Sequence, residues 1–166
     1  MAGDLQALSP QAEKGYGLFV KLNCMACHKY PSFTDFAFHN NGMEFAGKFR
    51  PTSDGLFTTI NGRAGFSAAD RQRSVRAFKT PTLREIARTG PYNHAGTFST
   101  LRRVLEHYNA GGAKLNEFGQ VVADANRDPR IKPLHLTDAQ LDALETFLVE
   151  GMAGKNYPKV IAPVLP

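Results

Sequence analysis

Apolar residues recur at helical spacing near both ends of the chain and once in its second half. Ser9 and Pro10 predict the start of the first helix, because serine is a favoured N-cap and proline suits the first helical position. The predicted inner face of this helix consists of Ala12, Tyr16, Phe19 and Asn23. A second helix is predicted over residues 99–109, and the glycine pair at 111–112 closes it.

The last predicted helix spans residues 137–150. Thr137 and Gln140 have the spacing of a capping box at its start, and Gly151 marks its end. Leu136 and Leu141 flank the cap in the manner of a hydrophobic staple. The predicted buried stripe consists of Leu141, Leu144 and Leu148.

The middle of the chain has a weaker pattern. Residues 80–88 predict a short helix with Leu83, Ile86 and Ala87 turned inward, followed by a tight loop at 90–96. Residues 29–79 show no sustained helical period and are rich in Gly, Asn and Phe. So long a loop is unusual in a compact domain unless something other than the chain supplies part of the core.

Cys24, Cys27 and His28 indicate what supplies the rest of the core. The sequence Cys-Met-Ala-Cys-His at 24–28 is the C-x-x-C-H signature of c-type haem attachment. Both thiols add to the vinyl groups of haem, and the adjoining imidazole binds the iron as proximal ligand. The sequence therefore predicts one covalent haem c, with His28 on the iron.

Other uses of these cysteines are less consistent with the chain, which contains only two. A zinc site would need two more ligands at finger-like spacing, and the histidines do not provide it. A thioredoxin-like redox pair would need a βαβ context, which the pattern lacks. A disulfide between the two cysteines, or a chance match, is the remaining alternative.

Together these features predict an all-α, cytochrome c-like single domain wrapped around one covalently bound haem, with long loops. The domain would comprise residues 1–166, with a core of about 9–150 and an extended tail at 151–166 whose prolines exclude a helix. The chain shows no internal repeat and no second C-x-x-C-H motif.

Composition suggests where the protein works. The chain contains no apolar run long enough to span a membrane, and residues 1–10 lack the features of a signal peptide. Haem is attached to such motifs outside the cytoplasm, so we expect a mature, periplasmic protein.

The net charge of +5 is modest, but basic residues cluster. They are Arg71, Arg73, Arg76, Lys79, Arg84 and Arg88, with Arg102 and Arg103 further on. They form either a solvated surface, or a set in which one or two neutralise haem propionates while others face an acidic redox partner. Aromatic residues are not interleaved with these charges as a nucleic-acid platform requires, so nucleic acid is not an expected partner.

The second axial ligand of the iron is less obvious. Met25 lies inside the motif, and no methionine occurs between Met43 and Met152. The other donors are His39, His94, His107, Tyr108 and His135. On the helix at 99–109, Tyr108 continues the apolar spacing and is predicted to point inward, whereas His107 is rotated by about 100° toward the polar side with Arg103. A core tyrosine with a hydrogen-bonded hydroxyl is the alternative for Tyr108.

Five ordered motifs resemble a known family. They are HNNG at 39–42, FKTPTLR at 78–84, GPYNHAG at 90–96, HYNAGG at 107–112 and LHLT at 134–137. Over about residues 11–150 the chain resembles the C-terminal, electron-transfer haem domain of bacterial dihaem cytochrome c peroxidases and their MauG-type relatives.

The resemblance implies further site residues. In the MauG branch the distal ligand is a tyrosine, and its position corresponds to Tyr108. His94 corresponds to a distal-region histidine and is the second choice as ligand and a candidate proton donor. Arg84, in the Thr-Leu-Arg stretch, is expected to contact a propionate. Family members also carry an N-terminal haem domain that this chain lacks, so the family's calcium site, near Thr89 and Pro91, is not expected.

Two main functions remain open from the sequence. The first is a monohaem electron-transfer domain with a His/Tyr-ligated iron. The alternative is a haem-dependent peroxidase or oxidase, which uses this haem itself or acts with a partner haem domain. Expected partners are a redox protein, either a second haem domain or an acidic cytochrome or cupredoxin.

Overall fold

Three α-helices form the framework of the part of the chain that the computed structural model describes. That part comprises residues 8–42, 77–94, 96–112, 114–115, 121–122 and 127–154, with the backbone alone at 114–115 and 121–122. The helices are α1 (Pro10–Lys21), α2 (Leu101–Asn109) and α3 (Asp138–Glu150), and single 3₁₀ turns occupy Cys24–Ala26 and Ile86–Arg88. Predictions for Met43, Arg71, Arg73, Arg76 and the tail beyond residue 154 fall outside the described residues.

Short strands accompany the helices, so the all-α prediction needs correction. β1 (Phe38–His39) pairs antiparallel with β2 (Phe78–Lys79), and β3 (Lys114–Leu115) pairs antiparallel with β4 (Val121–Val122). Two-residue strands leave almost no periodic signal in a sequence, which is why the helical pattern alone was visible. The fold is mostly helical, with long loops and small two-stranded sheets.

α1 begins where the sequence predicts. The Ser9 side chain accepts a hydrogen bond from the amide of Ala12 at 3.2 Å, with Pro10 in the first turn. The helix ends at Lys21, and Asn23, which was predicted on its inner face, is exposed in the left-handed region at φ 61°. This reversal of the chain ends α1 and starts the turn that contains the cysteines.

α3 confirms its predicted caps and buried face. Thr137 and Gln140 exchange both hydrogen bonds of a capping box, and Leu136 packs against the core beside it. Leu141, Leu144 and Leu148 are buried as predicted, and Ala143 and Phe147 join them. This broad apolar face is the surface on which α1 packs.

The apolar core joins the two terminal helices to the cysteine turn. Its buried members are Phe19, Leu83, Leu101, Leu144, Phe147, Leu148 and Met152. Cys24, Met25 and Leu105 are partly buried and pack against this cluster. The cysteine motif is therefore anchored to the core, and Met152, whose side chain is 1% exposed, is one of its packing residues.

Residues 80–88 do not form the predicted helix. Residues 81–83 have no regular structure, Arg84 and Glu85 lie in a turn with Glu85 at φ 59°, and Ile86–Arg88 then make a single 3₁₀ turn. The amide of Glu85 donates to the Met152 carbonyl at 2.9 Å, so a distant residue takes the hydrogen bond that a helix would use. Leu83 is buried as predicted, whereas Ala87 is exposed.

α2 is tied to α3 by charge. Its N-cap is Thr100, so the helix starts two residues later than predicted. Arg102 donates hydrogen bonds to Asp138 at 2.8 Å and to Asp142. One arginine of the predicted basic cluster is therefore used in a contact within the fold. Within the described part of the chain, no helix is long and apolar enough to cross a membrane.

Candidate haem-binding site

The cysteine motif forms one compact turn directly after α1. The amides of Cys27 and His28 both donate to the carbonyl of Cys24, at 3.4 and 3.0 Å. Both thiols are free, and burial raises the pKa of Cys24 to about 11 and raises that of Cys27 as well. Two protonated, unpaired thiols beside one histidine are the groups that covalent haem attachment requires.

His28 is held in the tautomer that suits iron. Its Nδ1–H donates to the carbonyl of Phe33 at 3.0 Å, which leaves the lone pair of Nε2 available to a metal. Burial lowers the pKa of His28, although the Phe33 carbonyl opposes the shift, so the neutral imidazole is favoured. The ring is tilted against Phe19 with centroids 6.4 Å apart. The donor set of this turn therefore fits haem c.

Arg84 holds the loop that orients His28. Its Nε and Nη2 both donate to the carbonyl of Pro31, at 3.0 and 2.6 Å, and its guanidinium lies 5.1 Å from the ring centre of Phe33. Thr82 donates to the neighbouring Ser32 carbonyl at 2.5 Å. The FKTPTLR motif thus supports the loop at 31–33. Contact of Arg84 with a haem propionate stays a prediction.

Tyr108 lies at the inner side of α2 with its hydroxyl hydrogen-bonded. The Asn41 side chain donates to the Tyr108 oxygen at 3.0 Å. Burial raises the pKa of Tyr108, the hydrogen bond from Asn41 lowers it, and the nearby thiols of Cys27 and Cys24 raise it further. The neutral, hydrogen-bonded hydroxyl is therefore the favoured form of Tyr108. Its role as an iron ligand stays a prediction.

His107, which was predicted to lie on the polar side of α2, is covered by another part of the chain. It is partly buried, its ring packs against Phe98 with centroids 5.5 Å apart, and its Nε2–H donates to the Asn41 carbonyl at 2.9 Å. Burial lowers its pKa. The loop that contains Asn41 crosses this end of α2 and covers a face that helical phase alone predicted to be polar.

The HNNG loop packs on the glycine turn that follows α2. Gly42 and Gly112 both have positive φ, of 72° and 63°. A Cβ on Gly42 would overlap the carbonyl of Gly112, and one on Gly112 would lie 2.5 Å from the Asn41 carbonyl. Arg127 donates to the carbonyls of Gly111 and Gly112 at 3.0 and 3.1 Å. Glycine is required here because two main chains touch.

An ionic cluster centred on His39 was not found from the sequence. The His39 Nε2 lies 2.8 Å from Asp35, and its Nδ1 lies 2.9 Å from Asp128 and 2.8 Å from Arg130. Arg130 holds the pKa of the Asp128 carboxyl well below its usual range. Burial would raise the pKa of Asp35, but hydrogen bonds, from His39 first, lower it to about 2. His39 and Asp35 are close in sequence, but Asp128 and Arg130 lie some ninety residues away, which no local signal reveals.

This cluster also bears on the metal alternatives. One donor atom each of Cys27, Asp35 and His39 lies within 4.8 Å of the others, a spacing that could hold a metal ion. Both ring nitrogens of His39 already face carboxylate oxygens, however. Cys27 is also the thiol that haem attachment uses. The cluster is therefore explained as an ion-pair network beside the motif.

His94 and His135 both lie at the surface of the described structure. His94 is exposed and its ring stacks on Phe78, with centroids 4.6 Å apart and planes 25° apart. His135 is exposed at φ 54°. The assignment of His94 as second-choice ligand and proton donor stays a prediction.

Comparison with known proteins identifies the relatives of this arrangement. Over 165 aligned residues the chain is 32% identical to the cytochrome-c peroxidase IdrP1 of Denitromonas iodatirespirans, covering 89% of this chain and 42% of that protein. Over 113 residues it is 36% identical to the methylamine utilization protein MauG of Methylorubrum extorquens, covering 68% of this chain and 29% of that protein. The chain is a homologue of these cytochrome c peroxidase and MauG proteins. No protein-family profile matches it.

A solved structure of a MauG-like protein shares the fold. That protein, which is associated with microbial copper homeostasis, superposes with a TM-score of 0.67 at 24% identity, over 88% of this chain and 47% of that one. The chain thus spans less than half the length of the cytochrome c peroxidase and MauG relatives that it matches. The resemblance predicted from five ordered motifs is confirmed.

Proposed function

We propose that this chain is a c-type haem domain that carries electrons through an iron held by His28 and Tyr108. The observation that carries the proposal is the turn at 24–28, where two free thiols adjoin an imidazole whose Nδ1 is fixed by Phe33. A histidine so oriented has one nitrogen left for a metal. The homology to cytochrome c peroxidases and MauG proteins supports haem as the group that this turn binds.

Haem, when bound, supplies an iron that changes between ferric and ferrous states. The chain contributes the rest. His28 would hold the iron, and Cys24 and Cys27 would fix the ring through thioether bonds. Tyr108 would be the second protein ligand, because its oxygen accepts a hydrogen bond from the Asn41 amide, a donor that stabilises an anionic oxygen. An anionic oxygen ligand favours the ferric state, so we expect a low reduction potential.

The alternative function is a haem-dependent peroxidase or oxidase, which uses this haem or acts with a partner haem domain. The observation that favours it is the similarity to a cytochrome-c peroxidase of which this chain spans only 42%. A second haem domain, or an acidic cytochrome or cupredoxin, would be the redox partner. Lys79, Arg84 and Arg88 are exposed basic residues that an acidic partner surface would approach. A covalently attached haem would make the periplasm the compartment of this chemistry, as for c-type cytochromes in general.

Tyr108→Phe tests the ligation, because it removes the oxygen and keeps the ring. The ferric holoprotein should become five-coordinate or water-ligated and high-spin, as seen in its visible and EPR spectra. Tyr92→Phe is the matched control, since Tyr92 also packs at the core and donates its hydroxyl hydrogen to the Ile86 carbonyl at 3.0 Å. A Tyr108→Phe protein with the wild-type low-spin spectrum would show that another group holds the iron, with His94 the next to test.

Peroxide separates the two functions. An electron-transfer domain with both axial positions filled should leave the spectrum of the wild-type ferric protein unchanged on adding hydrogen peroxide. Steady consumption of peroxide with a reduced electron donor would instead establish the enzyme. Tyr108→Phe should raise or change the reaction with peroxide in either case, because it opens the position that Tyr108 occupies.

A further inference from the structure

We infer that Asn41 is a positioning residue for Tyr108, and that the hydrogen bond from its amide sets how strongly the Tyr108 oxygen holds iron. The inference rests on the proposed His28/Tyr108 ligation and goes beyond it. It assigns a function to the second asparagine of the HNNG loop, a segment far from α2 in the sequence.

The direction of the hydrogen bond is fixed by its chemistry. The Asn41 Nδ2 lies 3.0 Å from the Tyr108 oxygen, and an amide nitrogen can only donate. The Tyr108 oxygen is therefore the acceptor. Such a contact stabilises negative charge on the oxygen, and it becomes stronger when the oxygen is anionic.

The main chain of Asn41 is held from two sides, so its side-chain amide has a defined position relative to Tyr108. On one side, the His107 Nε2–H donates to the Asn41 carbonyl at 2.9 Å. Since His107 and Tyr108 are neighbours on α2, one asparagine contacts both. On the other side, the Gly42 main chain packs directly on the carbonyl of Gly112.

The preceding residue adds a third attachment. Asn40 is 3% exposed, and its side chain accepts a hydrogen bond from the Gly42 amide at 2.9 Å. Its carbonyl accepts from the Asp128 amide at 2.8 Å. The loop therefore cannot withdraw the Asn41 amide from Tyr108 without breaking contacts to two other segments. A rigid support of this kind is what a tuned ligand environment requires.

The consequence for the iron follows from charge distribution. A donor that draws negative charge toward its hydrogen leaves less of it for donation to the metal. The ferric state, which benefits most from an anionic ligand, then loses part of its advantage over the ferrous state. The Asn41 amide should therefore raise the reduction potential above that of an unsupported Tyr108 ligand, and it should move phenolate-to-iron charge transfer to higher energy.

Asn41→Leu tests this, because leucine has a similar size and no donor, and the main-chain bond to His107 remains. In the ferric holoprotein, the phenolate-to-iron absorption should shift to lower energy, and the iron–oxygen stretch in the resonance Raman spectrum should shift to higher frequency. Spectroelectrochemical titration should give a more negative midpoint potential. His107→Leu, which releases the Asn41 carbonyl but keeps the amide, should give smaller shifts in the same direction.

Asn109→Leu is the matched control. Asn109 lies on the same helix beside Tyr108, but its side chain is engaged with both the amide and the carbonyl of Leu136. It should leave the potential and the charge-transfer band unchanged. Equal shifts in the Asn41 and Asn109 variants would overturn the inference, because a general loosening of α2 would explain both.

The outcomes for Tyr108→Phe separate this inference from the proposed function. If Tyr108→Phe keeps the wild-type spectrum, the ligation is wrong and the inference falls with it. If Tyr108→Phe changes the spectrum and Asn41→Leu leaves both potential and band at their wild-type values, the ligation stands and the inference alone is overturned.

Discussion

Gly15 of α1 and Ala143 of α3 meet main chain to main chain. A Cβ on Gly15 would overlap the carbonyl of Ala143 and lie 2.7 Å from the Cβ of Phe147. The first and last helices therefore approach each other as closely as they do because this position has no side chain. Since the cysteine turn follows α1 directly, the same approach places the motif against the core.

Gly15→Ala should destabilise the protein by about 1–3 kcal/mol, because the added methyl group must push the helices apart. Gly17→Ala is the matched control on the same helix, with open space around its Cβ position. That variant should be more stable than wild type by about 0.5–1 kcal/mol, since glycine is a poor helix former. Denaturant unfolding of the holoprotein, followed by circular dichroism, measures both. Similar effects from the two variants would disprove the close approach.

Helix ends and helix faces could be predicted from the sequence wherever the signals were local. Ser9 caps α1, Thr137 and Gln140 form the capping box of α3, and the leucine stripe of α3 is buried as its spacing predicts. Each of these depends on residues within a few positions of one another. The attachment motif at 24–28 was found for the same reason.

What the sequence could not predict depends on distant partners. Glu85 leaves the helical conformation because its amide bonds the Met152 carbonyl, and His107 is covered because the Asn41 loop crosses it. His39 is paired with Asp128 across the chain. Short strands such as Phe38–His39 are likewise defined by their partner and not by their own residues.

Haem should be bound covalently through Cys24 and Cys27. Denaturing electrophoresis followed by haem staining should show haem migrating with the polypeptide, because thioether bonds survive denaturation. Cys24→Ala with Cys27→Ala should abolish the stain. Extraction of haem from the wild-type protein by acid and acetone would contradict covalent attachment.

The fold should depend on haem, because residues 29–79 show no helical pattern and the apolar core of the described residues is small. The protein with both cysteines changed to alanine, prepared without haem, should show low helicity and no cooperative thermal transition. Circular dichroism at increasing temperature measures both properties. A sharp transition in the haem-free protein would show that the chain supplies its own core.

Arg84→Ala should lower the reduction potential, because a cation beside a propionate opposes the extra positive charge of ferric iron. Arg84→Lys, which keeps the charge but not the paired hydrogen bonds to Pro31, should stay closer to wild type. Arg88→Ala removes an equally basic, exposed side chain and serves as the control. An unchanged potential in Arg84→Ala would leave Arg84 with its loop-holding contacts alone.

Asp35 should make the free energy of unfolding depend on pH in the acid range. Its pKa is about 2 in the folded protein against 3.8 for an ordinary aspartate, and its side chain is 8% exposed. The folded state thus binds fewer protons than the unfolded state between these values, and stability falls as the pH falls through them. The loss is about 2 kcal/mol between pH 5 and pH 2.

Asp35→Asn should remove that part of the acid dependence, which unfolding free energies at pH 5 and at about pH 2.5 would measure. The variant should be less stable than wild type at pH 5 and closer to it at the lower pH. Glu13→Gln, at an exposed position of α1, is the control and should follow the wild type at both. A constant gap between wild type and Asp35→Asn would contradict the paired state of Asp35.

The antiparallel contact of β1 and β2 has a consequence for how this protein can be altered. Because His39 lies opposite Phe78, the two ends of the segment that connects β1 to β2 are held side by side. Lengthening a connection whose ends are already joined costs little entropy, about 0.6 kcal/mol for a doubling in length. Added residues in the connection between β1 and β2 should therefore cost little stability, and a short reporter peptide inserted there would measure that cost.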